Sequence, residues 1–308
     1  MHTYLVTGGC GFIGSHLADT LLAEGHAVRI LDDLSTGKLA NKSAAAELIL
    51  GDVADAELVA RAMRGVAGCF HLAAVASVER GNQDWLGTHR VNLTGTIAVL
   101  EAARRAGPVP VVYASSAAVY GGNPALPLSE AVPPEPLSAY GADKLGCELH
   151  ARVAGLIHGV PSTGLRFFNV YGPRQDPASP YSGVISIFCD RLRAGQGVTV
   201  FGDGGQTRDF VFVGDVVRAL VAGLRAASAE ARVFNVCTGH ATSVLQLAHG
   251  IAEALGAAPA ITLGPARLGD IRASLGDPAA ARGALGFTAG MGLAEGLART
   301  LGTCMVEG

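Results

Sequence analysis

Tyr140 and Lys144 stand four residues apart in Tyr-Gly-Ala-Asp-Lys, a spacing that places both on one face of a helix. A phenol of ordinary pKa, about 10, is a poor base at neutral pH. A neighbouring ammonium favours the phenolate and suits the pair to taking a proton from a hydroxyl. The same spacing also occurs on solvated helix faces, where it does no chemistry. Ser115 and Ser116 follow the apolar run 109–114, which reads as a strand. Ligands of doubly wound sheets bind beyond the carboxyl ends of strands. A Ser116 hydroxyl there either holds a substrate hydroxyl beside Tyr140 or caps the strand end.

A second cluster lies near the start of the chain. Thr7-Gly8-Gly9-Cys10-Gly11-Phe12-Ile13-Gly14 separates a first strand, 4–6, from a helix in which Ile13, Leu17 and Leu21 recur at helical spacing up to Gly25. Glycines there make a tight turn, admit a pyrophosphate against the backbone and let the helix pack on the sheet. The helix N–H groups and positive dipole end then face the phosphates. Asp32 follows Gly11 by 21 residues at the end of the second strand. A carboxylate there accepts both ribose hydroxyls of NAD and repels the added phosphate of NADP. Asp33 shares that role or is solvated, and Gly51-Asp52-Val53, after the third strand, is an adenine contact or a plain turn.

Such residues need a scaffold that gathers strand ends. Short apolar runs at 4–6, 28–31, 48–50, 69–72, 109–114 and 163–168 alternate with helical stretches at 55–64, 86–105 and 140–156. Continuous apolar strands separated by helices predict an α/β fold, a doubly wound parallel sheet of Rossmann type covered on both faces. After residue 168 the rhythm changes, and 171–183 is rich in Pro, Gly and Ser. The expected organisation is a Rossmann domain over 1–168, rejoined by about 210–238, with runs at 210–213 and 233–236 returning to it. A smaller C-terminal substrate domain is expected over 169–209 and 239–308.

Composition narrows the function further. The 308 residues carry 23 Lys+Arg against 26 Asp+Glu, a net charge of −3, so neither nucleic acid nor an anionic membrane finds a basic footprint. Hydrophobic residues reach 49% and charged residues 16%, enough for a large core and against disorder. The six cysteines form no C-x-x-C pair and no zinc-like cluster with histidine, so no metal is expected. The longest uncharged stretch, 106–129, holds four prolines and three glycines and cannot be a membrane helix. No Lys or Arg precedes Arg29, so a secretion signal is not expected and a cytoplasmic location is.

Motifs spread along the chain resemble the extended short-chain dehydrogenase/reductase family of nucleotide-sugar enzymes. They are T-G-G-x-G-F-I-G from Thr7, H-L-A-A from His71, S-S-A-A-V-Y-G from Ser115 and Y-G-A-D-K from Tyr140. L-R-F-F-N-V-Y-G-P-R from Leu165, F-G-D-G-x-Q-T-R-D-F from Phe201 and R-L-G-D-I from Arg267 continue the match. Within that family the nearest resemblance is to the short bacterial and archaeal UDP-glucose 4-epimerases. The resemblance implies a catalytic set of Ser116, Tyr140 and Lys144, and NAD held by Gly8, Gly11, Phe12, Ile13, Gly14, Asp32, Asp33, Asp52, Val53, Leu72, Ala73 and Ala74 together with Tyr140 and Lys144. Asn92 would support the cofactor side, though on spacing alone it reads equally as a buried structural amide. Ser116, Asn169, Val184, Arg208, Arg267, Asp270 and Ser274 would hold a UDP-sugar, with Ser274 as a small gate that admits N-acetyl sugars or a simple filler.

The implied reaction is NAD-dependent 4-epimerisation through a 4-keto sugar. Val75 and Ala76 stand where relatives carry Gln and Lys, which leaves the particular sugar open. In 4,6-dehydratases of the family an Asp-Glu pair follows the Ser/Thr; here Ala117-Ala118 follows Ser116, and neither can move a proton. The alternatives are a UDP-glucuronate 4-epimerase, for which Arg174 is the nearby candidate cation, another NAD-dependent nucleotide-sugar oxidoreductase, and, more remotely, a non-catalytic NAD-sensing protein. A homodimer through the helical stretches 86–105 and 140–156 is the expected assembly.

Overall fold

The computed structural model describes residues 1–177, 183–258, 260–266 and 271–302. Its centre is a seven-stranded sheet in the order β10-β6-β5-β4-β1-β2-β3. The strands are β1 (Thr3–Thr7), β2 (Ala27–Asp32), β3 (Glu47–Leu50), β4 (Gly68–His71), β5 (Val111–Ser116), β6 (Ser162–Phe167) and, much later in the chain, β10 (Arg232–Val236). Every pairing in it is parallel. Alternation along β1 explains the two covered faces. Leu5 packs with Leu31, Val99 and Val111 under helices Ala56–Ala62, Gly95–Arg105 and Ala139–His158, whereas Val6 packs with Leu17, Ile30 and Phe70 under helices Phe12–Ala23 and Val213–Arg225. The strand order reverses between β1 and β4, and a crevice opens there at their carboxyl ends.

Five further strands, in two small sheets, form a smaller layer. β7 (Asn169–Tyr171) pairs in parallel with β9 (Thr207–Phe212), which pairs antiparallel with β11 (Ala241–Ser243). β8 (Val198–Phe201) pairs with β12 (Ile261–Gly264). Their own core joins Tyr171, Phe188, Val200, Phe210, Leu247 and Ile251. Residues 210–212 of the expected run therefore belong to β9 of this layer rather than to the large sheet, because they pair with β7, which a single residue, Phe168, separates from β6. The following helix Val213–Arg225 and strand β10 do pack with the large sheet.

The helical stretch at 86–105 is interrupted. Helix Trp85–His89 runs into a π-helical turn, Arg90–Thr94, before helix Gly95–Arg105. Turns of this kind shift the backbone ladder and often mark functional sites. Among the described residues no helix is long and apolar enough to cross a membrane, and no cluster suited to a metal ion is present. Cys10, Cys69, Cys147, Cys189 and Cys237 are buried and unpaired, and Cys304 lies outside the described residues.

Candidate active site

The crevice at the β1–β4 reversal is a cavity of ≈ 720 Å³. At one end its wall is the glycine turn. Gly8 has φ +71°, and a Cβ on it would lie 2.8 Å from the Ala73 nitrogen; a Cβ on Gly14 would lie 2.2 Å from the Gly8 carbonyl oxygen. Only hydrogen fits at either position. Helix Phe12–Ala23 begins there with Gly11 as its N-cap, no side-chain cap and no acidic residue in its first turn. Its first N–H groups are thus left for an outside acceptor. The residues present fit a dinucleotide: a glycine cradle, uncapped N–H donors and a carboxylate one strand away.

Asp32 is buried, and it also has internal work. One oxygen accepts from the Cys10 N–H at 2.9 Å and the other from Leu34 N–H at 2.8 Å, which ties β2 to the glycine turn. Burial pushes its carboxyl above the ordinary range, opposed by those two N–H groups. Asp33 accepts from the N–H and hydroxyl of Ser35, and Asp52 pairs with Arg90 at 2.8 Å while accepting from Ala54 N–H. All three carboxylates line the cavity, as do Val53, Leu72, Ala73 and Ala74.

The other end of the cavity is lined by Ser115, Ser116, Tyr140, Lys144 and Asn169. Ser138 caps helix Ala139–His158, which carries Tyr140 in its first turn and Lys144 one turn later. Lys144 is buried; its Nζ donates to the Ala114 carbonyl at 2.8 Å and lies 5.9 Å from the Tyr140 ring centroid. Ser116 Oγ accepts from Ala118 N–H at 3.1 Å, so it does cap the strand end. That bond uses a lone pair and leaves the hydroxyl proton for an oxygen in the cavity.

A polar relay sits behind the wall. Thr96 Oγ1 donates to the Asn92 carbonyl at 2.6 Å, so it must accept from His71 Nε2–H at 3.0 Å; His71 Nδ1 then accepts from Thr7 Oγ1 at 2.8 Å. Thr7 Oγ1 in turn accepts the N–H groups of Leu72 and Ala73, both on the cavity wall. Burial, helped by the Lys144 charge, pushes His71 down to about 3, so it stays neutral. Asn92 lies within the π-helical turn and does not reach the cavity. Its side-chain oxygen accepts from Val75 N–H at 2.8 Å and its amide donates to the Val75 carbonyl at 3.2 Å. It clamps the wall from behind.

Three expected substrate residues stand away from this cavity. Val184 opens helix Val184–Arg193, Arg208 lies on β9 with a guanidinium hydrogen bond to the Thr207 carbonyl, and Ser274 N–H donates to that same carbonyl. Arg267 and Asp270 lie outside the described residues. A second cavity of ≈ 340 Å³ is lined by Phe201, Gln206, Ala266, Ile271 and Arg272 among others.

A relative from Mycolicibacterium smegmatis described as a UDP-glucose 4-epimerase is 44% identical over 304 residues, covering 96% of each chain. A UDP-glucose 4-epimerase from Thermotoga maritima, solved with UDP-glucose, superposes with a TM-score of 0.94 at 36% identity, over 97% of both chains. A UDP-N-acetylglucosamine 4-epimerase from Methanobrevibacter ruminantium, in complex with UDP-N-acetylmuramic acid, gives 0.93 at 33% identity, over 98% of this chain and 97% of that one. The NAD dependent epimerase/dehydratase family model matches residues 4–237, which span both the glycine turn and the Tyr–Lys helix, and with that match the chain belongs to the family.

Proposed function

We propose that the protein is a UDP-sugar 4-epimerase that uses NAD. The observation that carries this reading is one cavity with a dinucleotide cradle at one end and Ser116, Tyr140 and Lys144 at the other. NAD held in this cradle would supply a reversible hydride acceptor for the sugar carbon, so no external reductant would be needed. Gly8, Gly11, Phe12, Ile13 and Gly14 would hold its pyrophosphate, Asp32 and Asp33 a ribose, and Asp52, Val53, Leu72, Ala73 and Ala74 the remaining walls. Asn92 serves by holding Val75. Tyr140 removes the proton of the 4-hydroxyl and later returns it, Ser116 donates a hydrogen bond to the same oxygen, and Lys144 places a positive charge beside the phenol. Asn169, Val184, Arg208, Arg267, Asp270 and Ser274 are assigned to the UDP-sugar. Two guanidinium groups suit a diphosphate, and an aspartate suits ribose hydroxyls.

The sugar itself is read as uncharged. Among the described residues, the wall cations other than Lys144, which stands beside Tyr140, each face an aspartate: Lys38, Arg80, Arg90 and Arg174 face Asp176, Asp84, Asp52 and Asp19 respectively. Arg174, the candidate partner for a glucuronate carboxylate, is committed to Asp19 at 2.7 Å. The test is a product assay on purified protein without added NAD, using UDP-glucose, UDP-N-acetylglucosamine and UDP-glucuronate. UDP-galactose from the first is expected, and Ser274, being small, extends the expectation to the N-acetyl sugar. Conversion of UDP-glucuronate alone overturns the reading, as does no conversion at all.

The domain division is proposed as 1–168 with 213–238 against 169–212 with 239–308, with β9 moved to the smaller part and the cavity where the two meet. A cytoplasmic homodimer completes the reading. Helix Ala139–His158 exposes Leu149, Val153, Leu156 (79%) and Ile157 (65%), and the adjacent helix Trp85–His89 exposes Trp85 and Leu86. An apolar stripe at helical spacing on neighbouring helices suits a self-complementary two-fold interface. Light scattering at micromolar concentration is expected to give twice the chain mass, and a monomer mass for Leu156→Glu.

A further inference from the structure

The hydroxyl of Ser115 points away from the cavity into a buried ion pair. It donates to Glu148 Oε1 at 2.5 Å, and Arg166 of β6 grips the same carboxylate in bidentate fashion, Nε to Oε1 at 2.9 Å and a terminal nitrogen to Oε2 at 2.7 Å. Glu148 is the next step along the helix face of Tyr140 and Lys144, one turn beyond the lysine. Its side chain is 7% exposed and that of Arg166 is 6% exposed. Arg166 also donates to the Tyr120 hydroxyl at 2.8 Å, which donates to Asn235 Oδ1 at 2.7 Å. The carboxylate has its counter-ion without Ser115, so charge balance does not call for the serine.

What the serine adds is a register. The carboxyl end of β5 is fastened to the helix twice, by Lys144 Nζ on the Ala114 carbonyl and by Ser115 on Glu148. Ser116, next along, and Tyr140, one turn before Lys144, must both meet one substrate oxygen. A slide of the strand end along the helix axis moves the first relative to the second. We propose that Ser115 and Glu148 are positioning residues for the reaction, setting the distance between the Ser116 hydroxyl and the Tyr140 phenol. The inference rests on the epimerase reading.

The experiment compares wild type, Ser115→Ala, Glu148→Gln and the double variant, with turnover counted per protein carrying bound cofactor. Wild-type turnover of UDP-glucose tests the epimerase reading itself; the ratios between variants test the inference. Misplacement of reacting groups by about an ångström costs up to ~100-fold. Ser115→Ala is therefore expected to lower kcat by ~10–100-fold with KM and UDP affinity within about twofold. The effect of deuterium at the sugar C4 on kcat should rise, as the chemical step becomes more limiting. Because Ser115→Ala removes the bond that Glu148→Gln weakens by taking away the carboxylate charge, the two effects are expected to be less than additive in the double variant. A merely structural serine lowers the melting temperature and the loaded fraction but leaves kcat per loaded protein and the isotope effect unchanged. That result overturns the proposal, as does a loss that appears in KM. If Glu148→Gln does not fold, Ser115→Ala decides alone.

Discussion

At the dinucleotide end of the cavity the working surface is main chain, whereas at the reactive end it is side chain. The cradle consists of glycines that leave room and of N–H groups that Gly11 leaves uncapped, and even Asp32 spends both carboxylate oxygens on backbone donors. At the other end Ser116, Tyr140 and Lys144 are presented by a strand end and a helix that Glu148, Arg166 and Ala114 lock together. A backbone site is broken by adding atoms. A side-chain site is broken by removing them. The difference also decides what each perturbation should change: binding of the cofactor at one end, rate at the other.

The largest effect is expected from removing one oxygen at the reactive end. Tyr140→Phe keeps the ring and loses the proposed proton acceptor, and general base catalysis is worth ~10²–10⁴-fold. Turnover should fall by that amount with UDP affinity and cofactor content unchanged. Turnover within a factor of a few of wild type would return the base to some other group. At the opposite end Gly14→Ala adds one carbon where the Gly8 carbonyl oxygen would be 2.2 Å away. Overpacking of this kind costs ~1–3 kcal/mol, which, expressed in cofactor affinity, is a factor of roughly 5–150. Protein purified without its cofactor, yet recovering turnover at high added NAD, is the expected result. Unaltered cofactor content would show that the turn yields.

The same contrast governs what could be read from the chain alone. The cradle and the Tyr–Lys pair were legible because each lies within one turn or one helix face, and local spacing is enough to bring the residues together. The devices that hold them were not. Ser115, Glu148, Arg166, Tyr120 and Asn235 come from five separate elements or turns and meet only after the sheet forms. A clue existed: Arg166 sits in a strand that is buried along its whole length, and such a cation demands a carboxylate. Asn92 was legible as an odd polar residue in a helix. Its clamp on Val75 depends on the π-helical turn, for which spacing gives no signal. β7, β11 and β12 were missed because three or four residues show no usable alternation.

His71 lies between the two ends and gives the comparison a pH axis. Its folded value, about 3, lies below its ordinary value, so between those limits the unfolded chain binds a proton that the native protein does not. Stability from this group is therefore present above pH 6.5 and lost as the pH falls, by about 1.4 kcal/mol per unit, or about 2 kcal/mol at pH 5. Melting temperatures measured from pH 7 to pH 5 should fall, and His71→Gln should flatten that slope while lowering the value at pH 7. An unchanged slope in the variant would assign acid sensitivity to other groups.

The smallest effect is expected at the mouth of the dinucleotide end, where side chains do enter. Lys38, in the stretch between β2 and β3, pairs with Asp176 beyond β7 at 2.7 Å, and both residues line the cavity. The pair joins the β2–β3 stretch to the segment after β7, in company with Arg174–Asp19 and the His16 contact to the Pro173 carbonyl. Lys38 is more than half exposed, so the bond is weak, ~0.2–1 kcal/mol, and screened by salt. If it acts as a strap, Lys38→Ala and Asp176→Ala should each speed cofactor release by less than about fivefold, and molar salt should erase the difference from wild type. If Lys38 instead serves a cofactor phosphate, the two variants should diverge. Losing the lysine would weaken retention, while losing Asp176 would free the cation and strengthen it. Stopped-flow release of NAD from wild type and both variants at low and high salt separates these outcomes, because the sign of the Asp176→Ala effect differs between them.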